Sequence, residues 1–225
     1  MVQRSDPGSD PAAKTVTLAL QGGGSHGAFT WGVLDRLLED RRIAIEGISA
    51  TSAGAINGAL LVSGYAQGGR QGAREVLARF WLQVADAFRF SPAQPTPFDR
   101  LTSGWGLAYS PVYQLAEAVL RLFSPYQLNP LAINPLAMLL DTAIDFEALK
   151  RGGPKLFISA TNVRSGKVRI FTAAEIDVAV ILASTCLPHL FQAVEIDGEH
   201  YWDGGYVANP AIYPLMAHCD SSEVV

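Results

Sequence analysis

One serine restricts this chain more than any other residue. Ser52 lies in Ala50-Thr51-Ser52-Ala53-Gly54, after the apolar run Ile43-Ala44-Ile45-Glu46-Gly47-Ile48 and before the small-residue run Ala55-Ile56-Asn57-Gly58-Ala59-Leu60. The order reads as strand, sharp turn and helix, with the serine at the apex. Such a turn projects its side chain from a helix N-terminus, where the helix dipole favours an alkoxide. That is the elbow of a hydrolase nucleophile, with Ala50 where the pattern G-x-S-x-G has its first glycine.

The flanking segments extend the same theme. Thr15 to Leu20 reads as a short buried strand, followed by Gln21-Gly22-Gly23-Gly24-Ser25-His26-Gly27. Ala28 to about Glu39 has helical spacing, with Trp31, Leu34, Leu37 and Leu38 near one face. With the strand at Ile43 to Ser49 this gives β-α-β-α, the opening of an α/β fold on a mostly parallel sheet sandwiched between helices. Gly64 to Gly72 reads as a flexible break, and Arg74 to Val84 as a helix with Val76, Leu77, Phe80, Trp81 and Val84 on one side.

The stretch from Phe88 to Pro135 changes character. It is rich in proline around one helical island, Val112 to Phe123, and interrupts the alternation. It is either a cap over a site or a surface excursion with its own small core. The α/β pattern resumes at Lys155 to Ala160, with a polar turn at Asn162 to Lys167 and a strand at Val168 to Phe171. A helix over Ile176 to Ser184 precedes a hairpin turning at Asp197-Gly198, whose second strand ends in Asp203-Gly204-Gly205. Ala211 to Ala217 is the last element before Ser222-Glu223-Val224-Val225, which reads as the beginning of another strand. The domain is therefore expected over residues 15–225, cut short at its C-terminus, after a disordered lead-in over residues 1–14.

A nucleophilic serine needs an oxyanion hole and a base. Gly22, Gly23 and Gly24 answer the first need, because side-chain-free residues between a strand and a helix can aim backbone N–H groups at one point. The same loop has a rival reading. Gly22, Gly24 and Gly27 satisfy G-x-G-x-x-G, and Glu46 follows at about the distance a dinucleotide site asks for. That reading makes the chain a dinucleotide-binding oxidoreductase. It puts Glu46 inside its strand rather than at the carboxyl end, and leaves Ser52 and Asp203-Gly204-Gly205 without a role.

The base is less plain. The four histidines are His26 in the glycine loop, His189 after Pro188, His200 in a polar hairpin and His218 near the end. None has the placement of a triad base. Asp203 is the better candidate, since it ends a strand and two glycines let the backbone behind it approach another element. Alone, an Asp-Gly-Gly is a plain turn.

The ordered set of glycine loop, serine elbow and late Asp-Gly-Gly resembles the patatin-like phospholipase family, whose motifs are G-G-G-x-[RK]-G, G-x-S-x-G and D-G-[GA]. Ser124-Pro125-Tyr126-Gln127-Leu128-Asn129-Pro130 and Leu187-Pro188 are also similar, and the resemblance runs from about Thr15 to the end. It implies a three-layer α/β fold and a serine acyl hydrolase of the phospholipase or lipase type, using a Ser52–Asp203 dyad. Gly22, Gly23 and Gly24 would form the oxyanion hole, with no cofactor and no metal. Two residues depart from the pattern: His26 replaces the basic residue of the loop, and Ala50 the first elbow glycine. A scaffold that keeps the fold and has lost the activity is the other alternative.

Composition narrows the partners. Of the 225 residues 49% are hydrophobic and only 17% charged, and the formal net charge is −4 without any run of Lys or Arg. Nucleic acid is not an expected partner, and an anionic membrane receives no electrostatic help. The expected partner is a lipid or acyl-ester substrate, met at a membrane surface. No stretch has the length of a transmembrane helix or the pattern of a signal peptide. The two cysteines, Cys186 and Cys219, read as small buried hydrophobes. No His and carboxylate spacing suits zinc or calcium. A reducing cytoplasmic setting, with peripheral contact to membranes, fits these features.

Overall fold

The computed structural model of the protein describes residues 13–87, Gln114 and 123–225. Residues 1–12 of the expected lead-in, the helical island at 112–123 apart from Gln114 and Phe123, and most of the 88–135 insertion lie outside the described residues. β1 (Lys14–Leu20) leads through one 3-10 turn (Gly24–His26) into α1 (Gly27–Glu39). β2 (Ile43–Ala50) and α2 (Ala53–Ala87) follow. Three short helices come next: α3 (Pro125–Leu128), α4 (Pro135–Ala143) and α5 (Phe146–Arg151). Then come β3 (Lys155–Asn162), β4 (Val168–Thr172), α6 (Val178–Ser184), β5 (Val194–Ile196), β6 (Glu199–Asp203) and α7 (Tyr213–His218).

Strand alternation sorts the two faces of the sheet. Ile48, Ala50 and Leu156 point toward α2: a Cβ on Gly58 of that helix would stand 3.0 to 3.5 Å from their side chains. Gly47 and Phe157 point the other way, Gly47 against Leu215 and Cys219, and Phe157 stacked on His218 at 5.4 Å. The sheet is thus sandwiched between α2 and the α7 segment, as the α/β reading expected. Leu34 and Leu38 of α1 are buried in the same core as Val76, Leu77, Phe80 and Trp81 of α2, with Trp31, Leu37 and Val84 at its margin.

The break expected at Gly64 to Gly72 is present as a kink: α2 consists of two helical segments that meet at Gly68 and Gly69, which leave helical φ/ψ. Gly64 and Gly72 serve close packing. A Cβ on Gly64 would stand 2.7 Å from the Gly72 carbonyl oxygen, and one on Gly72 would stand 2.5 Å from the Gly64 carbonyl oxygen. Cys219 departs from expectation, being half-buried rather than part of the core.

The sheet is mixed. β1, β2 and β3 are parallel, with Leu20 paired to Ala50 and Ala50 to Ile158. Residues 223–225 extend this half along the free edge of β1, where the Thr17 N–H donates to Glu223 and the Val225 N–H to Thr17, at 2.8 and 2.9 Å. β4 runs antiparallel to β3 and pairs with residues 157–161. That leaves the opposite side of β3 to both β2, opposite residues 155–158, and β6, antiparallel opposite residues 160–162. β2 and β6 therefore share one lane along β3. They approach from opposite directions, and their carboxyl ends meet.

Candidate active site

Ser52 and Asp203 are the residues at that meeting. Ala50 sits opposite Ile158, and Asp203 opposite Ala160. Ser52 follows Ala50 by two residues, at a backbone φ of 55°. A serine held there stores roughly 1–3 kcal/mol of strain, which the surroundings must offset. Gly54 explains how the turn closes: a Cβ there would collide with the Leu20 carbonyl oxygen, so α2 begins hard against the end of β1.

Buried hydroxyls hold the turn. The Ser52 N–H donates to Ser184 Oγ at 2.9 Å, and the Ser184 hydroxyl donates to the Ser159 carbonyl at 2.8 Å. The Thr51 and Ser159 hydroxyls bond each other, and Thr51 also donates to the Ala208 carbonyl at 3.0 Å. Thr51, Ser159 and Ser184 are all fully buried. A buried hydroxyl needs partners, and here the partners are the two chain segments that carry the site. These three residues were not singled out from the sequence. The available signal was Ser159, a polar residue inside an otherwise apolar strand.

Asp203 is only 5% exposed. Its N–H donates to the Cys186 carbonyl and its carbonyl accepts from the Thr161 hydroxyl, each at 2.8 Å. Its Oδ1 accepts from the Gly205 N–H at 2.8 Å, and the Ser52 side chain is near enough to favour the charged carboxylate. Burial pushes the Asp203 carboxyl above its ordinary value, while the Ser52 side chain and the Gly205 N–H pull the other way. The neighbouring Cys186 thiol is pushed up to about 11, mainly by burial and further by the charge of Asp203. Gly204 is required by close approach, since a Cβ there would strike the Ser159 carbonyl.

The glycine loop lies directly over the turn. A Cβ on Gly22 would stand 2.6 Å from Ser52 Cβ and 3.4 Å from Ser52 Oγ. The Gly22 N–H donates to Asn209 Oδ1 at 2.6 Å. Among the described residues, the N–H groups of Gly23 and Gly24 have no partner. His26 closes the loop on itself, its Nδ1 bonding the Gly23 carbonyl at 3.0 Å. The far end is tied down through Asn57, which donates to the Gly27 carbonyl at 2.9 Å and accepts from Trp81 Nε1 at 2.8 Å.

The other histidines are engaged elsewhere. His200 is exposed and lies 3.9 Å from Glu195, His218 stacks on Phe157, and His189 is exposed. Glu46, the acid of the dinucleotide reading, is committed to structure. It accepts from the Asp220 and Ser221 N–H groups at 2.9 Å and pairs with Lys155 Nζ at 3.1 Å. No helix among the described residues is long and apolar enough to cross a membrane.

A family model described as patatin-like phospholipase matches residues 18–216. No curated protein sequence matches the chain. Among solved structures, the crystal structure of VipD from Legionella pneumophila is 18% identical, with a TM-score of 0.45, over 88% of this chain and 46% of that one. ExoU–SpcU, a heterodimeric complex from the type III secretion system of Pseudomonas aeruginosa, is 19% identical with a TM-score of 0.29, over 76% of this chain and 35% of that one. This chain therefore spans less than half the length of either.

Proposed function

The chain belongs to the patatin-like phospholipase family, and from that premise we propose that it is a serine acyl hydrolase that cleaves lipid acyl esters through Ser52 and Asp203. The observation that carries the reading is the meeting of the Ser52 turn and the buried Asp203 in one lane along β3, where Ala50 sits opposite Ile158 and Asp203 opposite Ala160. Ionised Asp203 takes the hydroxyl proton as Ser52 Oγ attacks the ester carbonyl carbon. The oxyanion that forms lies under the glycine loop, where the N–H groups of Gly23 and Gly24 offset its charge; Gly22, expected as a third donor, already donates to Asn209. Protonated Asp203 then gives its proton to the departing alcohol, leaving an acyl-serine. Asp203 then takes a proton from a water whose oxygen bonds to the acyl carbon, the bond from that carbon to Ser52 Oγ breaks, and the proton returns to Ser52 as the carboxylic acid leaves.

Two features support a lipid rather than a small polar ester. Tyr206 and Val207, exposed apolar residues, follow the Asp203-Gly204-Gly205 segment. Tyr126 bonds the chain before β5 through its hydroxyl while most of its ring stays exposed. Labelling with a fluorophosphonate tests the reading. The expected result is a single covalent adduct on Ser52, absent in Ser52→Ala together with all esterase activity. Equal labelling of the variant, or a wild-type protein that neither labels nor hydrolyses short-chain esters, would refute it.

A further inference from the structure

Asn209 was not part of any motif, yet its side chain reaches the centre of the site. Its Oδ1 accepts from the Gly22 N–H at 2.6 Å across 187 residues of sequence. Because a backbone N–H can only donate, the amide oxygen must face Gly22 and the NH2 must face away. The point where a Gly22 Cβ would sit is 3.2 Å from Asn209 Oδ1 and 3.4 Å from Ser52 Oγ. The corresponding point on Gly205 is 3.1 Å from Asp203 Oδ1 and 3.9 Å from Asn209 Cγ. One exposed amide thus stands between the glycine loop, the serine turn and the carboxylate, with its backbone on the loop that Asp203 begins.

We infer that Asn209 is a positioning residue of the oxyanion hole: it anchors the glycine loop through Gly22 and leaves Gly23 and Gly24 as the donors that meet the oxyanion. The inference rests on the acyl hydrolase reading and sharpens it. A Gly22 N–H already bonded at 2.6 Å is not free to receive a new charge, whereas Gly23 and Gly24 N–H have no partner among the described residues. Gly24 has a φ of 57°, the left-handed conformation that suits glycine. The anchor links the two halves of the site directly. The loop that supplies the donors is fastened to the segment that follows the base, so both keep one geometry relative to Ser52. A donor held in place stabilises charge that develops in the transition state and adds little to ground-state binding.

The test uses Asn209→Ala and Asn209→Asp in the full chain, after fluorophosphonate labelling and ester hydrolysis have been established for the wild type. Failure at that first step would refute the hydrolase reading and not this one. Asn209→Ala should lower kcat about 10- to 100-fold with KM changed less than twofold. Unchanged kcat, a loss carried by KM, or a gain in rate would each overturn the inference, the gain by making Asn209 a plug.

Asn209→Asp keeps the shape and the acceptor, so it carries the test even where the alanine variant does not fold. The titratable groups facing Asp203 among the described residues are the Ser52 hydroxyl and the Cys186 thiol. A new carboxylate in this setting disfavours ionisation of Asp203 and should move the acid limb of the kcat/KM profile to higher pH. A limb that stays in place would show that position 209 does not face the site, and would overturn the inference.

Discussion

The two arms of the site are built on opposite terms. The serine arm is strained and spends its surroundings on holding a turn: a positive φ, three buried hydroxyls and a glycine packed against a carbonyl. The carboxylate arm ends an ordinary antiparallel strand, and its cost is burial of a charge. Strain in the first is conformational, in the second electrostatic. Substitutions at the two arms should therefore separate stability from activity in different ways.

The largest expected effect is at the carboxylate. Asp203→Asn keeps the shape and removes the proposed base, so turnover should fall about 100- to 10,000-fold. Stability should move the other way. A carboxyl whose folded-state pKa lies above its unfolded value stabilises the fold fully below the unfolded pKa. That contribution is lost as pH rises through the folded pKa, so the buried charge costs stability at neutral pH. Thermal unfolding at pH 7 should show the variant as more stable than wild type, and the gain should vanish in acid. A variant less stable at pH 7 would mean that the Ser52 side chain and the Gly205 N–H outweigh burial. In the wild type, activity should be lost as pH falls through a pKa above the free aspartate value of about 3.9.

Ser184→Ala tests the serine arm. It removes the acceptor of the Ser52 N–H and should cost about 1–3 kcal/mol of stability, with a loss of turnover because the strained turn loses its tether. Normal stability in denaturant would place the support elsewhere. The smallest effect isolates the backbone alone. Ser52→Gly and Ser52→Ala both lack the hydroxyl, so their difference reads conformation. The glycine variant should be the more stable by about 1 kcal/mol, and equal midpoints would remove strain from the comparison.

The same contrast explains what the sequence revealed. The serine arm was legible because strand, serine and small residues are consecutive, and local steric rules suffice to read them. The Asp-Gly-Gly was legible only beside the other motifs, since nothing near Asp203 in sequence says what it faces. Ser159, Ser184 and Asn209 were not legible as site residues. Their partners lie 108, 132 and 187 residues away, and only the folded sheet brings them together. The glycines over 64–72 were legible as a break, which the structure has at Gly68 and Gly69, but not as a contact: the close approach of Gly64 and Gly72 is visible only in three dimensions.

The shared lane along β3 turns that strand into a gauge. Ile158 and Ala160 mark where the strand leading to Ser52 stops and where the strand ending in Asp203 stops, two residues apart. A ladder has discrete settings. Moving one strand by a single residue shifts it about 3.3 Å and turns its side chains to the other face. The spacing of Ser52 and Asp203 therefore cannot drift gradually. Length changes in the Asn162–Lys167 turn leave the setting alone, whereas one residue gained or lost between Ile158 and Ala160 breaks it outright. A lineage that varies this fold is free to rewrite its loops, but must copy the interval on β3 as a whole number.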